Sequence, residues 1–247
     1  MNYIIFGATS GIAIELINLI KKKDKNRKAH FFLSSRSKKN LNRLVSKLNL
    51  SNDQYDLLAI DLAKNKIDLE IVKKKISKYL KDKNYIYYFP SKPSLTEGKY
   101  NPRNLDKILN VNFNSFIKIF NYLINDFSKT QVITHISTIS CIRPKSKNYI
   151  YAASKFGIEN YLMSLMHYYK FQKPYIQIFR IGFINDLNEP KTFVKKLLSS
   201  SSKFIAKYIY EKNQKPISKL FYYPKISILL KNFILLIPRF LYKRINY

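Results

Sequence analysis

Tyr151 and Lys155, in the run Tyr151-Ala152-Ala153-Ser154-Lys155, are the residues whose types and spacing most directly suggest chemistry. Four residues is about one helical turn, so on a helix the phenol and the ammonium share a face, where the cation makes the phenol a stronger acid. A chain with 20 Tyr and 45 Lys plus Arg also produces this spacing by chance, so the pair needs support from elsewhere.

The amino terminus supplies it. Met1-Asn2-Tyr3-Ile4-Ile5-Phe6 reads as a buried strand and Gly11 onward as an amphipathic helix, which makes Gly7-Ala8-Thr9-Ser10-Gly11 a strand-to-helix turn. In a parallel αβ sheet such a turn binds phosphate. Gly7 permits the tight turn, Gly11 lets backbone amides approach a pyrophosphate, and the small Ala13 keeps helix and strand close. Gly7, Thr9, Ser10, Gly11 and Ile12 are therefore candidate cofactor contacts; the bland alternative is an ordinary tight βα turn.

Strand patterns over Tyr3 to Phe6, Ala29 to Leu33, Tyr55 to Ile60, Tyr85 to Phe89, Gln131 to Ile136, Tyr175 to Ile181 and Lys219 to Tyr223 alternate with helical ones. The helical patterns lie near Ile12 to Lys23, Lys39 to Leu48, Leu69 to Leu80, Leu105 to Phe127, Tyr151 to Tyr169 and Thr192 to Tyr210. The alternation predicts an α/β fold, a doubly wound parallel sheet of about seven strands with helices on both faces. At 247 residues one such domain accounts for the chain, and the Ser199 to Ser202 run predicts a helix-to-helix turn or cap. Ligands of these sheets bind at the carboxyl ends of the strands. At the end of the second strand, Ser35 and Arg36 stand where a carboxylate would select a free ribose 2′-hydroxyl; their charge and hydroxyl favour NADP(H), with NAD(H) or simple stacking of Arg36 on adenine still open. Asp61 and Leu62, after the third strand, are placed to meet the adenine, and Asp61 serves equally as a cap.

Composition narrows the function classes. A net charge of +30 invites a nucleic-acid reading, but Lys21-Lys22-Lys23, Lys73-Lys74-Lys75 and Lys195-Lys196 are spread over most of the predicted helices without an aromatic-interleaved stripe. What remains is attraction to anions, phospholipid head groups and phosphorylated substrates included. Cys141, the single cysteine, excludes an internal disulfide and fits a reducing compartment; three scattered His give no metal spacing. The chain enters its first strand directly, so no cleavable signal is expected ahead of it.

Thr138 closes the fifth strand thirteen residues before Tyr151. With the glycine turn, Asp61, Asn112, Ser137-Thr138, Tyr151/Lys155 and Arg180-Ile181-Gly182 in this order, the chain resembles the short-chain dehydrogenase/reductase family over essentially its whole length. The resemblance implies a single-domain Rossmann fold and an NAD(P)-dependent oxidoreductase. In it Tyr151 is the general acid or base, and Lys155 lowers the phenol pKa from about 10 and binds the nicotinamide ribose. A hydroxyl at Thr138, with Ser137 and Ser140 as fallbacks, holds the substrate oxygen, and Asn112 orients a water. Gly182 and Ile184 line the cofactor, and subunits pair through the helix carrying Tyr151. There are departures. Threonine stands for the usual serine, Tyr88-Phe89-Pro90-Ser91 replaces Asn-Ala-Gly, and Asp186 matches a phosphate-side threonine. An acidic group beside phosphate is unfavourable, so Asp186 is expected to point elsewhere.

Two further segments look like the reductase component of the decaprenylphosphoryl-ribose 2′-epimerase system: Arg143-Pro144-Lys145-Ser146-Lys147-Asn148-Tyr149-Ile150-Tyr151, and the end from Phe221 through Pro238-Arg239-Phe240-Leu241-Tyr242-Lys243-Arg244. That resemblance implies a keto sugar on a polyprenyl phosphate as substrate and a flavin oxidase as partner. By itself, Ile226 to Ile237 is too short to span a bilayer, which needs about 20 residues. Residues 1–224 are thus expected to form the reductase domain. Residues 225–247 form a basic, apolar tail that either lies on an anionic membrane surface or packs in the core or a dimer interface. Arg143, Lys145 and Lys147 are candidates for a lipid phosphate or a solvated loop. The expected protein is a cytoplasmic homo-oligomer, docked on the inner face of the membrane where the tail binds lipid. A soluble or lipidic ketone and a catalytically silent cofactor-binding protein remain alternatives.

Overall fold

The computed structural model describes residues 1–24, 26, 28–92, 102–143, 148–186 and 193–242, with side chains left aside at 102–104 and 239. In chain order the elements are β1 (Asn2–Phe6), α1 (Gly11–Lys23), β2 (His30–Ser35), α2 (Lys38–Lys47), β3 (Tyr55–Ala59), α3 (Leu69–Leu80) and β4 (Asn84–Tyr88). Then come α4 (Pro102–Leu109), α5 (Ser115–Leu123), β5 (Thr130–Thr138), α6 (Tyr149–Tyr168), β6 (Tyr175–Ile181), β7 (Phe183–Ile184) and α7 (Phe193–Leu197). The last are β8 (Ser199–Ser200), α8 (Ser202–Gln214), β9 (Lys219–Tyr223), α9 (Ser227–Leu236) and α10 (Arg239–Tyr242).

Seven strands pair in parallel in the order β3-β2-β1-β4-β5-β6-β9. The chain runs outward from β1 through β2 to β3 and then returns to the other side of β1, so the strand order reverses between β1 and β4. Dinucleotides bind such sheets at that reversal. Each face carries its own core. On one side α1, α2 and α8 bury Leu16, Ile17, Leu41, Leu44 and Ile205 against the sheet. On the other α3, α5 and α6 bury Val72, Ile76, Phe116, Phe120, Ile158 and Leu162, with the Phe116 and Phe120 rings stacked at 4.0 Å.

Local sequence explains most boundaries. Ser10, Ser37, Asp68 and Ser201 each accept from the third backbone N–H beyond them and so start α1, α2, α3 and α8. Lys21, Lys22 and Lys23 close α1 at its negative dipole end. Two sequence expectations differ from the structure. The continuous helix over Leu105 to Phe127 is interrupted by a π turn at Asn110–Asn114 and ends in a 3-10 turn over Ile124–Lys129. Side-chain bonds from Asn110 to the Ala63 carbonyl (3.1 Å) and from Ser115 to the Leu62 carbonyl (2.8 Å) pull the π turn toward the loop after β3. The helix over Thr192 to Tyr210 is two helices, because Ser199–Ser200 pairs with β7 and Ser201 caps α8. The first serines are therefore strand and the third is the expected cap.

Candidate active site

The segment Pro90-Ser91-Lys92, which leaves the carboxyl end of β4, is the hub of the site. Gly7 has φ +74°, and a Cβ there would stand 2.9 Å from the Pro90 nitrogen, so only glycine lets the turn after β1 close against this segment. Lys155 is 2% exposed and donates to the carbonyls of Pro90 at 3.4 Å and Ile136 at 3.2 Å. Asn112, fully buried in the π turn, accepts from Lys92 N–H at 2.7 Å and donates to the Lys92 carbonyl at 2.8 Å. The Ser91 hydroxyl hydrogen-bonds the Tyr151 phenol. Sequence comparison with the family pattern treats this segment as drifted, and the structure shows it gripped by four site residues. Ser91 was missed because its role depends on a contact between β4 and α6 that no spacing encodes.

Tyr151 and Lys155 share a face of α6, and burial dominates their electrostatics. It lowers the Lys155 pKa from 10.5 to about 8 and raises that of Tyr151 above 10, only partly offset by Ser91. The lowered phenol pKa implied by the pair is thus not seen: the ammonium faces two carbonyls, and desolvation of the phenol outweighs it. Asn112 likewise has its amide engaged by the Lys92 backbone, so here it positions the hub. Thr138 is 9% exposed at the end of β5; its Oγ1 accepts from Ser140 N–H at 3.2 Å, which leaves the hydroxyl proton available. Ser137, the fallback, lies 3.6 Å from the Cys141 sulfur. Burial pushes the Cys141 thiol up to about 11, in keeping with a packing role.

One more turn along the same face of α6 stands Glu159, wholly buried and paired with Arg180 of β6. Arg180 Nε and Nη2 approach its carboxylate at 2.9 and 2.5 Å, and Nη1 donates to the Tyr222 hydroxyl at 2.8 Å. The i, i+4, i+8 spacing of Tyr151, Lys155 and Glu159 was a readable signal for this pair. His135, buried between Tyr88 and Phe116, is kept neutral by desolvation and then by the Lys155 charge.

The cofactor candidates divide. Ser10 caps α1 through Ala13 N–H at 3.3 Å, Thr9 is exposed, and Arg36 is exposed at the end of β2. The side chains of Ile12 and Leu62 lie in the two cores, which leaves only their backbone to meet a ligand. Ser35 bonds the backbone of Ser37, and Asp61 accepts from Ala63 N–H at 3.1 Å in a turn that opens no helix, so it is not the expected helix cap. Gly182 is needed for packing, since a Cβ would fall 2.0 Å from the Leu198 carbonyl oxygen; Ile184 is 47% exposed. Gly11 is also a packing glycine: a Cβ would lie 2.7 Å from Ser202 Oγ and 3.2 Å from Asp186 Oδ2. Asp186 therefore turns toward the glycine loop, contrary to the expectation that it points away, because it caps α8 by accepting from Ser202 N–H at 2.9 Å.

Among the described residues no cluster of His, Cys, Asp and Glu could hold a metal. Two clefts of about 440 and 530 Å³, lined by residues such as Lys21, Asp24 and Tyr210, lie at the amino ends of the strands, away from these side chains.

A turn at the strand-order reversal, an exposed Arg36 and a Tyr/Lys helix on one sheet match a known pattern, and the sequence profile described as short chain dehydrogenase covers residues 2–185. The chain belongs to the short-chain dehydrogenase family. As in that family, it is an oxidoreductase with a Rossmann fold, and the family uses NAD(P)(H). Similar solved structures include a Streptomyces avermitilis short-chain dehydrogenase (TM-score 0.76, 12% identity, covering 95% of this chain and 92% of that one). A Bacillus anthracis short chain dehydrogenase matches at TM-score 0.75 and 13% identity, over 92% and 96% of the two chains. A Bacillus thuringiensis protein given provisionally as a 3-oxoacyl-reductase matches at 0.71 and 12%, over 90% and 95%. At these identities the likeness shows the fold. A comparison with curated proteins found no match.

Proposed function

We propose that this dehydrogenase is an NAD(P)H-dependent carbonyl reductase whose proton donor is Tyr151. The supporting observation is the grip of Gly7, Tyr151, Lys155 and Asn112 on Pro90-Ser91-Lys92, which brings the phenol, the ammonium and the glycine turn to one end of the sheet. The residues fit a dinucleotide: the turn opens α1 at the strand reversal, and Arg36, with no carboxylate beside it, suits a 2′-phosphate, so NADP(H) is preferred over NAD(H). When bound, the reduced nicotinamide supplies a hydride. Tyr151 then protonates the carbonyl oxygen, Thr138 donates to that oxygen, and Lys155 trades a carbonyl partner for the ribose and stabilises the phenolate left behind. Burial makes the Tyr151 proton harder to lose, and a positive charge brought near the phenol opposes that. Asn112 holds the hub and, in the catalytic cycle, a relay water. Gly7, Thr9, Ser10, Gly11 and the backbone of Ile12 would hold the pyrophosphate, Ser35 and Asp61 with the Leu62 backbone the adenosine, and Gly182 and Ile184 the nicotinamide side.

For the substrate we propose a keto sugar on a polyprenyl phosphate, made by a flavin oxidase partner as in the decaprenylphosphoryl-ribose epimerase system. Residues 225–247 act as a tail that docks on an anionic membrane surface. What supports this is α9, which buries Ser227 and Ile234 but exposes Leu229 (64%), Phe233 (66%) and Leu236 (81%). No helix of the described residues is long and apolar enough to cross a membrane. The tail is tied to the site: Arg143, which follows β5, donates to the carbonyls of Ile234 and Ile237 at 2.6 Å each and stacks on Tyr242 at 4.1 Å. Arg143 thus caps α9 instead of facing a lipid phosphate; Lys145 and Lys147, named with it, lie outside the described residues. Exposed Phe156 and Tyr168 on α6 support pairing of subunits through that helix. A second reading is a 3-oxoacyl substrate, favoured by the same apolar surface and by the Bacillus thuringiensis neighbour. NADPH oxidation with the lipid-linked keto sugar and with a 3-oxoacyl thioester, each with and without anionic vesicles, separates them. Turnover of the sugar that rises with vesicles supports the first reading; turnover of the thioester alone rejects it.

A further inference from the structure

Asp186 is a charged group that the proposed chemistry does not use. It follows β7, is exposed, and stands at the amino ends of two helices. Oδ1 accepts from the N–H of Ser202, the first residue of α8, at 2.9 Å. Oδ2 lies 3.2 Å from the position a Cβ would take on Gly11, the first residue of α1. Ser202 Oγ is closer still to that position, at 2.7 Å, so the amino ends of two thirteen-residue helices abut with a carboxylate between them. Each amino end carries partial positive charge, which favours a carboxylate there.

A pyrophosphate lying on the amino end of α1 comes close to that carboxylate. A carboxylate left there faces it at a few ångströms, where like charges repel. We propose that the Asp186 carboxylate, which caps α8 beside the first residue of α1, opposes the phosphates of a dinucleotide on the glycine turn, so that it sets the affinity for the phosphate end of the cofactor. The inference rests on the dinucleotide reading of the glycine turn. It assigns Asp186 as an affinity-determining residue that acts through charge.

The test is a binding titration of the full chain with NADPH and with ADP-ribose, which keeps the pyrophosphate and lacks the nicotinamide. Wild type is compared with Asp186→Asn, whose amide oxygen still accepts from Ser202 N–H without the charge. Asp186→Thr, which keeps a hydroxyl acceptor, serves if the first variant folds poorly. The expected result is binding of both ligands about tenfold tighter in the variant, about 1.4 kcal/mol, with the gap narrowing as salt is raised toward 0.5 M because screening weakens the repulsion. Equal or weaker binding by the variant, with wild type still binding, overturns the role of Asp186 and leaves the reductase reading intact. A gap that does not respond to salt overturns its electrostatic basis. Failure of both ligands to bind either protein rejects the reductase reading together with this inference.

Discussion

Replacing Lys155 with methionine should make the protein more stable while removing its activity. The ammonium is 2% exposed, and burial lowers its pKa from 10.5 to about 8. At roughly 1.4 kcal/mol per pKa unit that difference is on the order of 3 kcal/mol of unfavourable free energy for keeping the charge in the folded chain below pH 8. Against it stand two hydrogen bonds, to the Pro90 and Ile136 carbonyls at 3.4 and 3.2 Å, each worth about 1 kcal/mol net. A methionine side chain fills a similar volume without the charge, so a gain of about 1 to 2 kcal/mol at pH 7 is expected, or a rise of roughly 2 to 6 °C in Tm. The sign follows from linkage. Between pH 8 and 10.5 the unfolded chain holds the proton that the folded chain has lost, so Lys155 makes the stability of wild type rise with pH across this window and adds no pH dependence on either side of it. The variant lacks that slope. Urea unfolding of both proteins at pH 7, 8, 9 and 10 measures it, and the difference between them removes the contribution of the tyrosines. A Lys155→Met protein more than about 1 kcal/mol less stable at pH 7, or one with the same pH slope as wild type, would refute the account of this site as a strained, desolvated cation.

Glu159→Gln leaves the Arg180 guanidinium buried without its counter-ion, which typically costs about 3 to 5 kcal/mol; a fall in Tm on the order of 10 °C is expected by calorimetry, and a shift under 2 °C would show the pair to be dispensable. Arg36→Ala should weaken NADPH about tenfold and leave NADH nearly unchanged, since only the former carries the 2′-phosphate; equal losses for both cofactors in a fluorescence titration would mean that Arg36 stacks on adenine.

The strands were readable because burial on both faces writes apolar runs such as Tyr3 to Phe6 and Tyr175 to Ile181, and their alternation with helices fixes a parallel topology. The helix at Leu105 to Phe127 misled because a π turn preserves the apolar stripe while adding a residue, and only the bonds from Asn110 and Ser115 to the β3 loop reveal it. In the site, Tyr151 and Lys155 were legible from one helical spacing, and Glu159 could have been by the same spacing. Ser91, the hub it belongs to, and Asp186 were not. Ser91 depends on the packing of β4 against α6, and the direction of Asp186 depends on α8 lying beside α1. Reasoning that a carboxylate avoids phosphate overlooked that the amino end of α8 needs an acceptor.

The central claim is that Tyr151 gives a proton to a carbonyl reduced by NAD(P)H, and Tyr151→Phe tests it most directly. The ring and its packing stay, and the hydroxyl goes. Carbonyl-dependent NAD(P)H oxidation should fall by at least about a hundredfold, the usual contribution of a general acid, while the dissociation constant for NADPH changes less than about threefold. Turnover within a few-fold of wild type in that variant would contradict the account.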